Sequence, residues 1–391
     1  MSSGWKKVAI GDVVDSAKTW NPLRSVPNDV FDYIDLSAID QDSKTIIGAR
    51  KVICGDAPSR ARQLVAKGDV LVSTVRPNLN GVALISEELD GATASTGFCV
   101  LSPRRNFLDR SYLFHWVKSP TFISDMVNKA TGANYPAVSD RIIFESQIPL
   151  PPFEEQRRIA ELLDRAEELR SKRREAIAQL DTLTQAIFLE MFGDPVRNPK
   201  LHPVVRLGSL TKISSGSTPS RKQPENFDGN IPWVKTTEVN GYLITDTEEK
   251  ITKSALQNSS CHVYPVGSIL IALYGQGKTR GQCAVLGIEA ATNQACGVLL
   301  PNPSYITNFL FAQLSMSYSR LRAMARGGNQ ENLNLGLIAD FTVLLPCLPL
   351  QQEFAHRVEA VEKIKAAHCA SLSELNALFA SLQNRAFKGE L

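Results

Sequence analysis

The run PPFEEQRRIAELLDRAEELRSKRREAIAQLDTLTQAIFLEMFGDP, residues 151–195, decides how this chain is organised. No glycine or proline interrupts it between Phe153 and Phe192, so it predicts one continuous helix, about 60 Å long at 1.5 Å per residue. Gly193 and Pro195 end the helix, because glycine adopts a left-handed C-cap readily and proline cannot continue the hydrogen-bond ladder.

Apolar residues in this helix recur at alternating spacings of three and four, which is the pattern of a coiled-coil seam. A second long helix before Gly389 has the same pattern, interrupted by Lys365 and His368. The predicted seam positions are Ile159, Leu162, Leu169, Leu180, Leu183, Ile187, Val358, Val361, Leu372, Leu375, Phe379 and Leu382. Each helix needs a partner, and we expect an intramolecular, antiparallel pair. A generic dimerisation coiled coil is the alternative.

Working outward from the helices, the whole chain reads as one unit written twice. The matching segments are VAIGDVV at Gly11 with VRLGSLT at Gly208, YIDLSAID from Tyr33 with WVKTTEVN from Trp233, KGDVLV at Gly68 with VGSILI at Gly267, ATASTGFCVLSP ending at Pro103 with ATNQACGVLLP ending at Pro301, and PFEEQ from Pro152 with PLQQE from Pro349. The offsets stay between 195 and 200 residues, so the copies are collinear and a duplication explains them.

The first part of each copy alternates short β-rich runs with Gly, Pro, Asn and Ser breaks, and it closes on a helical segment, Tyr112 to Lys129 or Ile306 to Arg326. The predicted fold class is α+β, with two globular α/β domains separated by two long helices that form an antiparallel coiled coil, as a pseudo-twofold tandem repeat. The predicted boundaries are 1–149 and 196–346 for the domains, and 150–195 and 347–391 for the helices.

Composition excludes several classes of protein. The 391 residues, 43% of them hydrophobic, can bury more than one core. Seven cysteines never form a C-x-x-C pair and no histidine has zinc-ligand spacing beside them, so we expect reduced, mostly buried thiols and no metal. The N-terminus has no apolar signal region and no stretch is apolar enough for a membrane, so we expect a cytoplasmic protein. A net charge of +3 permits nucleic-acid binding without arguing for it.

Two motifs partly resemble catalytic or nucleotide-binding sites, but neither matches the full pattern. GQGKT, Gly275 to Thr279, follows a strand-like run as a phosphate-binding loop would, but Ala272 replaces the first glycine and the residues after it read as turn and strand. Glu248, Glu249 and Lys250, with Asp228 upstream, loosely resemble a nuclease metal site, but the first copy has no equivalent. We therefore favour a binding protein without catalytic residues.

The junctions IPLPPFEEQRRIAELLDRAEEL, from Ile148, and LPCLPLQQEFAHRVEAVEKI, from Leu345, resemble the conserved helices of specificity subunits of type I restriction-modification systems. ISSGSTPSR from Ile213, IPWVKTTEV from Ile231, GDVLVSTVRPNLNGVAL from Gly68 and the terminal AFKGEL resemble that family too. The likeness spans essentially the whole chain.

The resemblance implies two target recognition domains, each reading one half of a bipartite, asymmetric sequence in double-stranded DNA, with the helices as a spacer between the halves. It also implies two methyltransferase subunits as partners, joined by restriction subunits for cleavage. S-adenosylmethionine, ATP and Mg²⁺ then belong to the partners, and this chain needs no cofactor. Base flipping for adenine methylation likewise falls to the methyltransferase.

Loops carrying Arg, Lys, Asn, Gln and Ser are the physical candidates for DNA contact, because Arg grips guanine and Asn or Gln grips adenine, while Lys and Ser contact phosphates. The candidates in the first domain are Arg76, Asn78, Asn80, Lys129, Asn134, Tyr135 and Ser139. Those in the second are Thr218, Arg221, Lys222, Tyr274, Gln276, Lys278, Arg280, Asn329, Gln330 and Asn332.

Three alternatives stay open at this point. The basic run from Ser171 to Arg174 either touches phosphate or forms a solvated helix face. The chain itself is an enzyme if Glu248, Lys250 or the GQGKT loop is catalytic. It is a scaffold if it does not touch DNA.

Overall fold

The computed structural model describes residues 5–132, 135–241, 243–275, 277–325 and 332–391. They form two compact units, one made of Met1–Arg174 with Ala370–Leu391, the other of Glu175–Cys369. Both long helices therefore contribute one half to each unit. Asn134, Gln276, Asn329 and Gln330, four of the candidate DNA contacts, lie outside the described residues.

The first unit contains the strands β1 Lys7–Ala9, β2 Val14–Ser16, β3 Val30–Ile34, β4 Ile39–Asp40, β5 Thr45–Ile46, β6 Arg50–Ile53, β7 Ala61–Leu64, β8 Val70–Ser73, β9 Val82–Leu84, β10 Thr93–Ser95, β11 Phe98–Pro103 and β12 Gln147–Pro149. Its helices are α1 Arg110–Val117, α2 Pro120–Lys129, α3 Asp140–Glu145 and the first part of α4 Phe153–Phe192. The strand orders are β2-β11-β8-β9, β6-β3-β10-β7, β1-β12 and β4-β5.

The second unit contains the strands β13 Val204–Arg206, β14 Ile213–Ser215, β15 Ile231–Val234, β16 Leu243–Ile244, β17 Glu249–Ile251, β18 Ile269–Ala272, β19 Cys283–Leu286, β20 Ala291–Thr292, β21 Cys296–Leu299 and β22 Thr342–Leu344. Its helices are α5 Leu207–Leu210, α6 Lys253–Gln257, α7 Thr307–Met316, α8 Tyr318–Ala323, α9 Leu335–Asp340 and the first part of α10 Leu348–Lys388. The strand orders are β14-β21-β18-β19-β16, β17-β15-β20 and β13-β22.

The duplication is visible in the sheets. The order β2-β11-β8-β9 of the first unit returns as β14-β21-β18-β19 in the second, and the parallel pair β3 and β10 returns as β15 and β20. The antiparallel ribbon β1-β12 returns as β13-β22. This repetition and the mixed helix and strand content confirm the predicted α+β tandem repeat.

Buried thiols are the rule, as the sequence predicts. Cys54, Cys99, Cys261, Cys283 and Cys296 are buried, whereas Cys347 and Cys369 are exposed on α10 or at its start, and all seven are free. Burial raises the pKa of Cys283 and of Cys296 to about 12, so these thiols stay protonated and unreactive.

Both long helices end where the sequence predicts. Gly193 follows α4 with a φ of 77° and Gly389 follows α10 with a φ of 77°, a left-handed backbone that residues with a Cβ adopt only at a cost. None of the helices in the described part of the chain carries an apolar run long enough to span a membrane.

Within each unit the two helix halves run antiparallel. In the first unit Arg158 of α4 donates to the Leu391 carbonyl at 3.4 Å, and Arg170, three turns later, donates to the Asn376 side chain at 2.7 Å. In the second unit Asp181 pairs with Lys365 at 2.5 Å and Glu190 lies 3.9 Å from Arg357. Partner numbers fall as the α4 numbers rise, which is the predicted direction of pairing.

The predicted seam on α4 is wrong in part. Leu169 is 54% exposed and Leu183 is 45% exposed. Of the other predicted positions on α4, Ile159 is buried and Leu162, Leu180 and Ile187 are half-buried. The other buried apolar residues of α4 are Ala160, Leu163, Ala166, Phe188, Met191 and Phe192. The physical reason is that α4 packs against its own domain as well as against α10, so its buried stripe is broad and follows the 3.6-residue helical period rather than a strict heptad.

Near the exposed Leu169, the neighbouring residue Arg170 makes the contact with α10. Its guanidinium lies 4.4 Å from the centre of the Phe379 ring and it donates to Asn376, so position 170 and not 169 faces α10. On α10 the predicted positions are closer to the structure. Val358, Val361 and Phe379 are buried, and Leu372, Leu375 and Leu382 are half-buried.

Candidate nucleic-acid interface

The loop after β8 in the first unit has an unusual backbone. Arg76 and Asn80 both take left-handed conformations, with φ of 51° and 47°, around the short helical turn Pro77–Leu79. Such conformations cost of order 1 kcal/mol or more and persist only where the surroundings impose them. Here Lys44 donates to the Asn80 carbonyl at 2.7 Å and the Arg76 amide donates to the Pro136 carbonyl at 2.7 Å. The loop is therefore held in one shape.

The structure brings this loop against the segment after α2, which the sequence treats as a separate candidate. Val75 and Thr131 each form an isolated bridge with Ala137. As a result the Arg76 guanidinium lies 5.0 Å from the centre of the Tyr135 ring, and Tyr135 is 69% exposed. Two of the predicted contact residues thus form one exposed pair.

The other first-unit candidates have more local roles. Lys129, at the end of α2, pairs with Asp125 at 2.7 Å, which is an ordinary pair between successive helical turns. Ser139 caps α3 by accepting from the Ile142 amide. Asn78 is exposed and Asn80 is half-buried.

In the second unit the corresponding loop follows β18. Tyr274 and Lys278 are exposed and Arg280 is half-buried. Two side chains that sequence reasoning missed fasten it. Tyr318 donates to the Lys278 carbonyl at 2.7 Å, and Arg322 donates to the carbonyls of Gly277 and Arg280 at 2.7 and 3.2 Å.

The backbone after this loop differs from that of a phosphate-binding GQGKT motif. The described residues after Thr279 lead directly into strand β19, which begins at Cys283, so no helix N-terminus stands behind the loop. A phosphate-binding loop depends on that helix.

The same backbone contact joins loop and return segment in both units. The Val138 amide donates to the Thr74 carbonyl at 2.9 Å, and the Leu333 amide donates to the Leu273 carbonyl at 3.0 Å. Asn332, half-buried, is the residue before that second contact. The two candidate surfaces are therefore built on one plan.

The early loop of the second unit holds Thr218, Arg221 and Lys222. Thr218 hydrogen-bonds the side chain of Gln294, an exposed residue that the sequence did not single out. The next residue, Ala295, accepts from the Leu273 amide at 2.8 Å. The early loop and the loop from Tyr274 therefore contact the same short segment, residues 294–295. Lys222 of the early loop is exposed.

Arg221 is engaged within its own domain. It pairs with Glu249 at 2.7 Å, and its guanidinium lies 4.0 Å from the ring centre of Phe227 and 5.1 Å from that of Trp233. The hydrogen bond from Arg221 holds the pKa of Glu249 below its ordinary value. These contacts fix the position of the Arg221 side chain, and Glu249 neutralises its charge.

The nuclease-like carboxylates are paired with cations as well. Lys235 lies 2.5 Å from Glu248 and 3.2 Å from Glu249, and Lys250 lies 3.0 Å from Asp246. Among the described residues, no three side chains of His, Cys, Asp or Glu are grouped to hold a metal ion. Glu248 and Glu249 belong to a charge network around Trp233.

The structure also corrects one match between the copies. PFEEQ and PLQQE align Pro152 with Pro349, but the equivalent residues are Gln156 and Gln351. Gln156 accepts from the Asp109 amide at 2.9 Å and donates to the Pro151 carbonyl at 3.0 Å. Gln351 accepts from the Ile306 amide at 2.9 Å and donates to the Pro346 carbonyl at 2.8 Å. The sequence did contain a signal for the equivalence of Gln156 and Gln351, because each lies five residues after a proline at the start of a long helix.

The model of the type I restriction modification DNA specificity domain matches this chain twice, over residues 2–179 and 199–377. The chain is 20% identical to the type I restriction enzyme HindI specificity subunit of Haemophilus influenzae, with all of both chains covered. It is 22% identical to the MjaIX specificity subunit of Methanocaldococcus jannaschii, over 77% of this chain and 73% of that one.

Solved structures agree. A chain from work on complex assembly and conformational transition of the type I R-M system superposes with a TM-score of 0.60 at 28% identity, over 100% of this chain and 99% of that one. The type I restriction-modification S subunit from M. genitalium superposes with a TM-score of 0.59 at 15% identity, over 98% and 96% of the two chains, and supports the fold alone.

Proposed function

This chain belongs to the family of type I restriction modification DNA specificity proteins, and from that premise we propose that it reads a bipartite, asymmetric DNA sequence on behalf of partner subunits. Each domain reads one half of the target. The segments 1–149 and 196–346 are the proposed readers, and 150–195 and 347–391 the proposed spacer helices.

The observation that carries this proposal is the duplicated loop arrangement. In each copy an equivalent backbone hydrogen bond joins the loop after the third strand of the main sheet to the segment after the helices, Val138 to Thr74 in one and Leu333 to Leu273 in the other. Both arrangements present exposed cationic and aromatic side chains. In the first, Arg76 of the loop lies beside Tyr135 of the segment after α2, and in the second the loop itself carries Lys278 and Tyr274. Such side chains contact phosphates and base edges.

The chemistry falls to the partners in this proposal. Two methyltransferase subunits bind the chain and carry S-adenosylmethionine, and restriction subunits with ATP and Mg²⁺ complete the assembly. The chain itself positions them on double-stranded DNA and catalyses nothing. We expect it in the cytoplasm, with the DNA that it reads.

The test is to co-express the chain with a partner methyltransferase and map methylated adenines in the host genome. A split motif, with two specified halves and an unspecified gap, is the expected result. Methylation without sequence preference would favour a scaffold. In parallel, the purified chain is assayed alone for hydrolysis of ATP and of DNA. Hydrolysis that is lost in Lys278→Ala or in Glu248→Gln would make the chain an enzyme and overturn the proposal. Hydrolysis that persists in both variants would be assigned to a contaminating enzyme.

A further inference from the structure

Arg76 is placed unlike the other stacked arginines of the first unit. Arg50 also lies over a tyrosine, 5.5 Å from the ring centre of Tyr33, but it has Asp35 at 3.6 Å. Arg170 lies over Phe379 and pairs with Glu167 at 2.6 Å. In the described part of the chain Arg76 has no carboxylate partner. Its charge is exposed and uncompensated.

The position of Arg76 is nevertheless defined. Its left-handed backbone is fixed by the hydrogen bond from its amide to Pro136, and the Tyr135 ring lies 5.0 Å from its guanidinium. A cation that only neutralises phosphate needs no such support, since a flexible side chain finds the nearest oxygen. Fixing the guanidinium before binding lowers the entropy cost of contacts that require direction.

The contact that needs direction is a bidentate one. A guanidinium presents two parallel N–H donors, and guanine presents O6 and N7 as a matching pair of acceptors in the major groove. Adenine, with one donor and one acceptor there, does not match. The chemistry of Arg76 therefore selects guanine among the four bases.

We infer that Arg76 reads a guanine in the half-site of the first domain, with Tyr135 as the positioning residue that holds its guanidinium. This inference rests on the proposed function and names one specificity determinant within it. Arg221 does not play the same part in the second domain, because it already pairs with Glu249.

The experiment uses the full chain in complex with its methyltransferase partner, on duplexes carrying the mapped target. Each guanine of the target is replaced in turn by 7-deazaguanine, which lacks the N7 acceptor. For the wild-type complex we expect one position at which this replacement weakens binding on the order of tenfold. In Arg76→Met the same replacement changes nothing, because no donor remains at this position to reach N7.

Two variants test the role of Tyr135, and one is a matched control. Tyr135→Phe keeps the ring and retains discrimination at that base pair, whereas Tyr135→Leu loses part of it there and nowhere else. Arg50→Lys alters a stacked arginine of the same unit that already has a carboxylate partner, and it leaves every position as in the wild type.

Contrary outcomes are distinct. If Arg76→Met and Arg76→Ala weaken all duplexes equally, or if no guanine loses its effect in Arg76→Met, the contact is to phosphate or absent. The inference is then overturned while the proposed function stands. A target without guanine in either half would likewise overturn the inference and leave the proposed function standing. A wild-type complex with no sequence preference overturns the proposed function itself.

Discussion

Gln156 and Gln351, 195 positions apart, are buried at the starts of the two long helices and have two equivalent hydrogen bonds in common. Each accepts from the backbone amide at the start of a domain helix, Asp109 or Ile306, and donates to the proline carbonyl five residues before it. One side chain thus joins the long helix, its preceding loop and the domain.

Replacing either glutamine by leucine should destabilise the protein. The change leaves buried backbone groups without partners, which costs about 1–3 kcal/mol and lowers the melting temperature by several degrees. Thermal unfolding of Gln156→Leu and Gln351→Leu measures this. Gln352→Leu, at the exposed neighbouring position, is the control and should melt as the wild type does. Equal melting of all three would show that these hydrogen bonds contribute nothing.

The ion pair between Lys365 and Asp181 should respond asymmetrically to mutation. Lys365 is 8% exposed, whereas the Asp181 side chain is 44% exposed. Asp181→Ala leaves a buried ammonium with less compensation, while Lys365→Met leaves a carboxylate that water can reach. We expect Asp181→Ala to lower the urea midpoint and Lys365→Met to leave it nearly unchanged or raise it. A larger loss of stability in Lys365→Met than in Asp181→Ala would mean that attraction within the ion pair contributes more to stability than burial of the lysine costs. Lys363→Met, from an exposed pair with Glu359, is the control.

His115 should make stability depend on pH. Burial lowers its pKa, opposed by its hydrogen bond to Asp164 at 2.7 Å and by the nearby Glu167, and Lys118 lowers it further. The folded state then binds fewer protons than the unfolded chain, whose histidine titrates near 6.5. Stability is complete above that pH and falls as pH drops through it, until the folded pKa is passed.

Urea unfolding between pH 5 and pH 7.5 measures this dependence. His115→Gln removes the titrating group and should flatten the decline on the acid side. His262→Gln, at an exposed position, should leave the decline as it is. A decline of unchanged steepness in His115→Gln would assign it to other groups.

Lys278→Ala should weaken DNA binding at all sequences alike. An exposed lysine that contacts phosphate contributes through counterion release, so its loss should reduce the slope of log K against log salt by about one. Binding titrations at several salt concentrations give the slope. Lys388→Ala, at the end of α10, is the comparison. A slope equal to that of the wild type would remove Lys278 from the interface.

Arg322 should act on DNA binding through the loop that it fastens. Arg322→Ala removes the donor to the Gly277 and Arg280 carbonyls, so amide exchange in residues 277–280 should speed up and binding should weaken. Arg320→Ala is the matched change two residues earlier, where the guanidinium lies 4.9 Å from the Phe341 ring centre. Weaker binding without faster exchange would instead make Arg322 a direct contact.

The sequence by itself determined the elements and their repetition. Breaker-free runs, Gly193 and Gly389 set the long helices, and matching segments at a nearly constant offset set the duplication. These features depend on local backbone preference and on periodicity, which a single sequence carries in full. The polar loops around Arg76 and Lys278 were found for the same reason.

Only the tertiary structure decided which of those residues meet. Arg76 reaches Tyr135, 59 positions away, whereas Arg221 is taken by Glu249, and nothing local distinguishes the two arginines. The seam on α4 likewise depends on a second neighbour, the domain, that turns Arg170 and not Leu169 toward α10. Periodicity predicts which face of a helix is apolar, but the burial of each side chain is set by every surface packed against it, and those surfaces come from distant parts of the chain.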